Sequence, residues 1–267
     1  MESHDIRNRF EYTSVSMGKI IVFANQKGGV GKTTSAVNLG AYVAAAGMRV
    51  LLVDFDPQGN LSSSVGARKD APGIYELITG SIEFPGAVQK TAVDGLSIIA
   101  ANHNLSGANV ELVNQKQREY FLKRALENHR DEYEYIFIDS PPSLGILTVN
   151  GLSAADLVFI PLQCEYFALE GLTQLLQSIK RVQQSFNSRL DIGGIMFTMY
   201  DSRTRLAQDV VQEVISYFGK RVFKTIIPRN VRLSEAPSHS VPISIYDADC
   251  LGAKAYQKLA EEVIARD

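Results

Sequence analysis

The sequence predicts a single α/β domain whose central sheet is mostly parallel and covered by helices on both faces. Short runs that are apolar throughout alternate, along 267 residues, with stretches in which apolar residues have helical spacing. Strands of this kind are typical of parallel sheets, because helices bury both of their faces. No linker rich in Pro, Gly or Ser divides the chain, so we expect one domain over residues 18–267. Residues 1–17 show no clear periodicity and are predicted to be a disordered extension.

The predicted strands are short apolar runs bounded by polar or turn-forming residues. These runs are residues 19–24, 49–53, 96–100, 135–138, 157–160, 192–197 and 222–226. Polar segments follow several of them directly. Because parallel strands end at the same edge of a sheet, we expect these segments to meet there and to form a ligand site.

Helices are predicted where apolar residues recur three or four positions apart. Leu206, Val210, Val214 and Phe218 follow this spacing, and Gly47 is a typical end for the first helix. The predicted helices are residues 33–46, 109–128, 169–186, 205–218 and 251–265. Residues 54–95 are expected to mix loops with short helices.

The composition argues against several classes of protein. The net charge is −2, so any contact with nucleic acid must come from a local basic patch. Cys164 and Cys250 lie far apart without a C-x-x-C pair, which argues against a zinc or iron–sulfur scaffold within one chain. No apolar run is long enough to span a membrane, and the N-terminus lacks the apolar core of a signal peptide. We therefore expect a cytoplasmic protein without a membrane partner.

A glycine-rich segment between the first predicted strand and the first predicted helix indicates a phosphate-binding loop. Its glycines let backbone N–H groups turn toward phosphate oxygens, and the helix N-terminus adds positive potential. Within it, Lys32 can reach the β- and γ-phosphates, the Thr33 hydroxyl can coordinate Mg²⁺, and Thr34 is placed to hold the α-phosphate. We therefore predict a P-loop NTPase that binds ATP and Mg²⁺ through Gly28, Gly29, Val30, Gly31, Lys32, Thr33 and Thr34.

Aspartates follow two other predicted strands. Asp54 and Asp56, two apart in an extended segment, point to the same side. One can orient or deprotonate an attacking water, and the other can hold a water of the metal shell. Asp139 ends a third apolar run in the manner of a Walker B acid, so we predict that it binds Mg²⁺.

Several motifs together resemble the ParA/Soj type of partitioning ATPase, within the deviant Walker A (ParA/MinD) superfamily. They are K-G-G-x-G-K-T, D-x-D-P-Q-G-N, M-Y-D-x-R-T and I-P-R-N-V-R-L-S-E-A-P-S, and the resemblance runs from about Gly18 to Ile264. The first departs from the generic P-loop, because Gln26 occupies the usual glycine position and Lys27 follows it.

The resemblance implies a role for individual residues. Lys27, which on the residues alone could simply be solvated, would reach across an ATP-sandwich dimer to the partner's phosphates and act with Lys32 in catalysis. Asp56 would position the attacking water, and Asp54 would support the metal shell with Thr33 and Asp139. The residues implied to border the adenine are Met199, Pro228, Arg229 and Asn230.

The resemblance also implies partners. Arg203 and Arg232 would bind double-stranded DNA without sequence preference on the ATP-bound homodimer. A centromere-binding protein of the ParB/Spo0J kind would stimulate hydrolysis and release the subunits. The protein would then associate with the nucleoid.

Three other functions share the P-loop fold. A MinD-like membrane-positioning ATPase needs a basic amphipathic C-terminal helix, but Glu261, Glu262 and Asp267 make this end acidic. An iron-protein reductase or iron–sulfur carrier needs paired cysteine ligands, which Cys164 and Cys250 do not supply. A small-molecule kinase or ligase is disfavoured by Lys27 and by the later arginines.

Overall fold

The computed structural model describes residues 17–266, in which one sheet is covered by helices on both faces. The predicted extension over residues 1–17 therefore lies, except for Met17, outside the described residues. The strands are β1 (Lys19–Phe23), β2 (Val50–Asp54), β3 (Val88–Lys90), β4 (Leu96–Ile99), β5 (Tyr135–Asp139), β6 (Leu157–Gln163) and β7 (Asp191–Thr198).

Helices occupy most of the connections between these strands. In chain order they are α1 (Lys32–Ala45), α2 (Asn60–Ser64), α3 (Ile74–Ile78), α4 (Phe84–Ala87), α5 (Leu105–Glu111), α6 (Phe121–Glu127), α7 (Ile146–Ala154), α8 (Ala168–Ser185), α9 (Arg205–Phe218), α10 (Val231–Glu235), α11 (Ile243–Tyr246) and α12 (Leu251–Ala265). Short 3₁₀ turns cover Leu112–Asn114, Arg118–Tyr120, Arg130–Glu132, Gly219–Arg221 and Ala236–His239.

The described strands form one sheet in the order β3-β4-β2-β5-β1-β6-β7, and all pairs are parallel except β3 with β4. The predicted fold class is thus confirmed. In β1, Ile20 and Val22 pack into the core on one face, while Ile21 and Phe23 pack into the core on the other. This alternation explains why the strand is apolar at every position from Ile20 to Phe23.

The strand register brings the acidic strand ends together. Asp54, the last residue of β2, is the Cα partner of Asp139, the last residue of β5. Asp139 is also the partner of Phe23, after which the glycine-rich loop begins. Main-chain pairing therefore fixes the aspartates beside that loop at the carboxyl edge of the sheet.

Two predicted elements are wrong in detail. The helix predicted over residues 109–128 is interrupted, since Gln117 has a φ of 54° and Gln115 is extended, so α5 and α6 are separate. The strand predicted over residues 222–226 is reduced to an isolated bridge between Val222 and Ile195. Helices α7, α10 and α11 and strand β3 were not predicted.

The lost strand has a physical cause. The N–H groups of Lys224 and Thr225 donate to the carboxylate of Glu262 in α12, at 2.8 and 3.0 Å. Because a side chain takes these donors, they are not available for a strand ladder with β7. The segment after residue 222 instead stays beside β7 through isolated hydrogen bonds, from the Phe223 N–H to the Ile195 carbonyl and from the Ile227 N–H to the Phe197 carbonyl.

Candidate nucleotide-binding site

The glycine-rich loop connects β1 to α1 and is held from two sides. Gly29 and Gly31 have φ values of 74° and 86°, a region that favours glycine. The Asn25 carboxamide accepts from the Lys27 N–H at 3.0 Å and donates to the Pro161 carbonyl at 2.7 Å. The Thr198 hydroxyl, at the end of β7, donates to the Val30 carbonyl at 2.8 Å. The cradle is therefore shaped by protein contacts alone.

Lys32 is folded inside this loop. Its ammonium group donates to the Lys27 carbonyl at 3.3 Å, and the residue is only 6% exposed. Burial lowers the pKa of Lys32, while the carboxylates of Asp139 and Asp56 act in the opposite direction. A cation at the N-terminus of a helix, beside a glycine-rich loop, is suited to bind phosphate oxygens.

Thr33 and Asp139 form the part of the site that fits a magnesium ion. The Thr33 hydroxyl donates to Asp139 Oδ2 at 2.6 Å. Asp139 is 1% exposed, and its Oδ1 is buried without a hydrogen-bond partner among the described residues. Burial, followed by the charge of Asp54, raises the pKa of Asp139 to about 8. An unpaired buried carboxylate oxygen beside a hydroxyl fits a hard cation that also takes phosphate and water ligands.

Asp54 lies behind this pair and is fully buried. Its Oδ2 accepts from the backbone N–H and the hydroxyl of Ser62, at 2.7 and 2.6 Å, while Oδ1 accepts from the Asp56 N–H at 3.3 Å. Burial raises the pKa of Asp54 to about 6. Both oxygens thus accept hydrogen bonds from protein donors, which fixes the orientation of the carboxylate beside Asp56.

Asp56 faces an open cleft of about 330 Å³ between the ends of β2 and β5. Its Oδ1 accepts from the Gln58 N–H at 3.0 Å, which fixes the turn that follows β2. The cleft is lined by Asp56, Pro57, Gln58, Ser106, Pro141, Pro142 and Ser143. It offers room for a water molecule beside a carboxylate, as the predicted role of Asp56 requires.

Lys27 lies on the exposed rim of the loop, with 45% of its side chain accessible. Its ammonium group forms an ion pair with Glu165, which follows β6 in the same chain. Sequence reasoning missed Glu165, as well as Ser62 and Thr198, because no spacing rule marks them. Within the chain, Lys27 is thus paired outside the phosphate loop.

The four residues predicted to border the adenine are brought together beyond β7. The Tyr200 N–H donates to the Ile227 carbonyl at 3.0 Å, and the Arg229 N–H donates to the Tyr200 carbonyl at 3.1 Å. Asn230 caps α10 by accepting from the Arg232 N–H at 2.9 Å. This arrangement places Met199 beside Thr198, which touches the phosphate loop, and places Pro228, Arg229 and Asn230 on the adjoining segment.

The two arginines predicted to contact DNA lie on these same neighbouring segments. Arg203 has 85% of its side chain exposed and pairs with Asp201 at 2.6 Å. Arg232 is half exposed and pairs with Glu235 at 2.9 Å and with Asp247 at 3.4 Å. Both arginines therefore lie at the surface, each in contact with carboxylates of its own chain.

A glycine-rich loop between a buried strand and a helix, with a lysine inside it and buried acids beside it, defines a P-loop nucleotide-binding protein. A family model described as an AAA domain matches residues 18–192. The chain is 62% identical over 251 residues to the chromosome-partitioning ATPase Soj of Treponema pallidum, covering 94% of this chain and 99% of that protein. It is 53% identical over 251 residues to the sporulation initiation inhibitor protein Soj of Bacillus subtilis, covering 93% and 99%.

A solved structure shares the fold. It is reported as cobyrinic acid a,c-diamide synthase of Mycobacterium smegmatis with bound ADP and magnesium. It is 38% identical, with a TM-score of 0.81, over 94% of this chain and 95% of that chain. The chain belongs to the Soj/ParA family of chromosome-partitioning ATPases. The predicted family is confirmed, and with it the prediction of an ATPase that uses ATP and magnesium. Between residues 17 and 266, no helix is both long and apolar enough to cross a membrane.

Proposed function

We propose that the chain is a DNA-partitioning ATPase whose ATP-bound homodimer binds DNA without sequence preference and is released on hydrolysis. One observation carries this proposal: the segments with the exposed arginines are joined by main-chain hydrogen bonds to the end of β7, which supports the phosphate loop. The phosphate loop and the proposed DNA-binding surface are therefore separated by only a few residues, so a change of the bound nucleotide can affect that surface. Family membership supports the partitioning role.

The residues of the phosphate loop bind and orient the nucleotide in this proposal. Lys32 and the loop N–H groups neutralise the phosphates, and Thr33 with Asp139 would hold Mg²⁺. The ion would offset charge on the phosphates during transfer. Asp56 orients the attacking water from the adjoining cleft, and Asp54 keeps that segment in place through Ser62.

The second subunit enters through Lys27. Because Lys27 is exposed and pairs with Glu165 within one chain, it can exchange this partner for the phosphates of a facing subunit. A cation delivered in this way stabilises the charge that develops on phosphoryl transfer. Dimerisation would thereby complete the active site, and hydrolysis would remove the γ-phosphate that Lys27 holds across the interface. We further propose that a ParB/Spo0J-like protein accelerates this step and that the ATP form associates with the nucleoid.

The last helix disfavours the MinD-like alternative. Tyr256, Leu259 and Val263 of α12 are buried against the core that contains α1. Glu262 binds the backbone of residues 224 and 225. The apolar face of this helix is therefore already covered, whereas a membrane-docking helix must present that face to lipid.

The decisive test is DNA binding by the Asp56→Ala protein, which is expected to retain ATP without hydrolysing it. With ATP, we expect binding to non-specific duplex DNA that weakens steeply with salt, because phosphate contacts release counterions. Binding should be weak with ADP. Arg203→Ala and Arg232→Ala, introduced into the Asp56→Ala protein, should each lose most of the ATP-dependent binding.

Arg189→Ala is the matched control, because Arg189 is exposed and lies just before β7, at the opposite end of the strand that leads to Arg203. It removes the same charge and should bind DNA like the parent protein. If the Asp56→Ala protein forms the ATP dimer but binds no DNA, the proposed function is wrong. Vesicles of anionic lipid, assayed in parallel, would then test the MinD-like alternative.

A further inference from the structure

The surface around the proposed DNA-contacting arginines is neutral and not basic. We call Arg203, Arg229 and Arg232 the arginine patch. Its two segments run side by side, since Tyr200 and Pro228 form a parallel bridge and the Arg229 N–H bonds to the Tyr200 carbonyl. Three carboxylates, Asp201, Glu235 and Asp247, contact this patch or lie beside it. The formal charges of the three arginines and the three carboxylates therefore cancel.

Asp201 binds Arg203 with the geometry that a phosphate would use. The Arg203 Nε donates to Oδ1 at 2.8 Å, and Nη2 donates to Oδ2 at 2.6 Å. The Arg203 backbone N–H also donates to Oδ1, at 3.1 Å. The guanidinium, with a weaker contribution from Arg229, lowers the pKa of Asp201 to about 2. Two N–H donors of the Arg203 guanidinium, on Nε and Nη2, are thus occupied by a carboxylate that stays charged at neutral pH.

Arg232 is held through a single hydrogen bond by a carboxylate that is itself fixed. Its Nη1 donates to Glu235 Oε2 at 2.9 Å, and the Tyr246 hydroxyl donates to the same oxygen at 3.0 Å. Asp247 lies 3.4 Å from the Arg232 Nε. Glu235 is therefore positioned by a neighbour from α11 and does not merely follow the arginine.

The segment that carries Tyr246 and Asp247 is tied to the phosphate-loop helix. The Ile243 N–H donates to the buried Asn38 carboxamide at 2.8 Å, and Asn38 donates to the Thr34 carbonyl at 2.8 Å. Asn38 is only 4% exposed. Asp247, and Tyr246 which holds Glu235, therefore belong to a rigid part of the molecule.

We propose that Asp201 and Glu235 are built-in competitors of DNA phosphate that keep a single subunit off DNA. The inference rests on the proposed DNA function. A phosphate must displace a carboxylate from each arginine, so one neutral patch binds DNA weakly. Two patches on one ATP dimer bind together, and the second contact benefits from a high effective concentration. The carboxylates thus confine DNA binding to the dimeric, ATP-bound form.

The test compares Asp201→Asn, Glu235→Gln and the double variant in the Asp56→Ala protein, with ADP and with ATP. Because exposed ion pairs are weak, each single change should raise the DNA affinity of the ADP form by roughly two- to five-fold. The double variant should raise it further, and the affinity of the ATP form should rise by a larger factor, because both patches of the dimer gain. The readout is the dissociation constant for non-specific duplex DNA over a series of salt concentrations.

Asp94→Asn is the matched control, because it removes the same charge from an exposed aspartate just before β4, at the opposite edge of the sheet. Thermal unfolding and ADP affinity, measured on every variant, show whether the fold and the nucleotide site are intact. If the carboxylate variants bind DNA no better than Asp94→Asn, while Arg203→Ala loses binding, the inference is wrong and the proposed function stands. If no form binds DNA, both are wrong.

Discussion

Asp139 shows how one buried atom defines the chemistry of the site. Its Oδ2 is bound by Thr33, but its Oδ1 has no donor within the described part of the chain. A buried carboxylate oxygen without a hydrogen-bond donor is unfavourable, and a protein keeps one where a ligand completes it. The site is therefore less stable without a cation than with one, and that difference can be measured.

The stability of the protein without nucleotide and Mg²⁺ should depend on pH through Asp139 and Asp54. Their pKa values are raised from 3.8 to about 8 and about 6, so the folded protein holds protons that the unfolded chain releases. The free energy of unfolding should thus fall as the pH rises from about 4 to about 8. We expect a shallower decline in Asp139→Asn, measured by denaturant unfolding across this range. An equally steep decline in that variant would contradict the assignment.

Ser62 should matter for both stability and hydrolysis, because it connects Asp54 to the end of β4. Its hydroxyl donates to Asp54 at 2.6 Å and accepts from the Ala101 N–H at 2.9 Å. Ser62→Ala leaves a buried N–H unpaired, so we expect a loss of about 1–3 kcal/mol in the free energy of unfolding. ATP turnover should fall as well, since the Asp54–Asp56 segment loses an anchor.

Ser63→Ala is the control for Ser62→Ala. Ser63 is exposed, and its hydroxyl bonds only to the Gly59 carbonyl within the same turn. This change should leave turnover unaltered and stability within about 0.5 kcal/mol of the parent. Equal turnover in the two variants would show that Ser62 does not position the site.

At the scale of elements, the sequence predicts what depends on local pattern and misses what depends on distant partners. The buried strands and helices α1, α8, α9 and α12 follow from apolar spacing alone. The prediction of one helix over residues 109–128 was wrong. Leu112, Leu122 and Leu126 are all buried, as in a single amphipathic helix, but the helical conformation is interrupted at Gln117. Spacing reports which residues are buried, and it does not detect a break between two short helices that share one core.

The same distinction applies to the candidate site. The phosphate loop and the aspartates follow from motifs, because their chemistry depends on residues close in sequence. The partners of Lys27 and Asp54 come from elsewhere in the chain, as Glu165 and Ser62 show, and only the fold brings them into contact. The Asp201–Arg203 pair lies within the M-Y-D-x-R-T motif. Its bidentate geometry depends on the backbone turn between the two residues, which the motif does not reveal.

Glu262 should stabilise the fold by holding the segment that follows α9 and runs beside β7. Its carboxylate accepts from the N–H groups of Lys224 and Thr225 and pairs with Arg266 at 2.7 Å. Glu262→Ala should lower the free energy of unfolding by about 1–2 kcal/mol, since charged acceptors make the stronger hydrogen bonds. Glu261→Ala, at the exposed neighbouring position, should change it by less than about 0.5 kcal/mol. Chemical denaturation of both variants compares them directly.

At the scale of the whole molecule, one edge of one sheet carries every proposed activity. The phosphate loop, the metal-binding pair, the water-positioning cleft and the arginine patch all follow strands that end there. The opposite edge supplies the controls, Arg189 and Asp94, for the DNA-binding experiments. A parallel sheet allows these sites to lie together, because the loops that follow its parallel strands all emerge at the same edge.

The contact between helices α1 and α12 affects how the protein folds during synthesis. Tyr256 of α12 is buried, and its hydroxyl lies 3.0 Å from the Ser35 hydroxyl in α1. Until α12 has left the ribosome, that face of the phosphate-loop helix lacks its cover. A nascent chain that contains the whole loop but not yet α12 should therefore bind nucleotide more weakly than the folded protein.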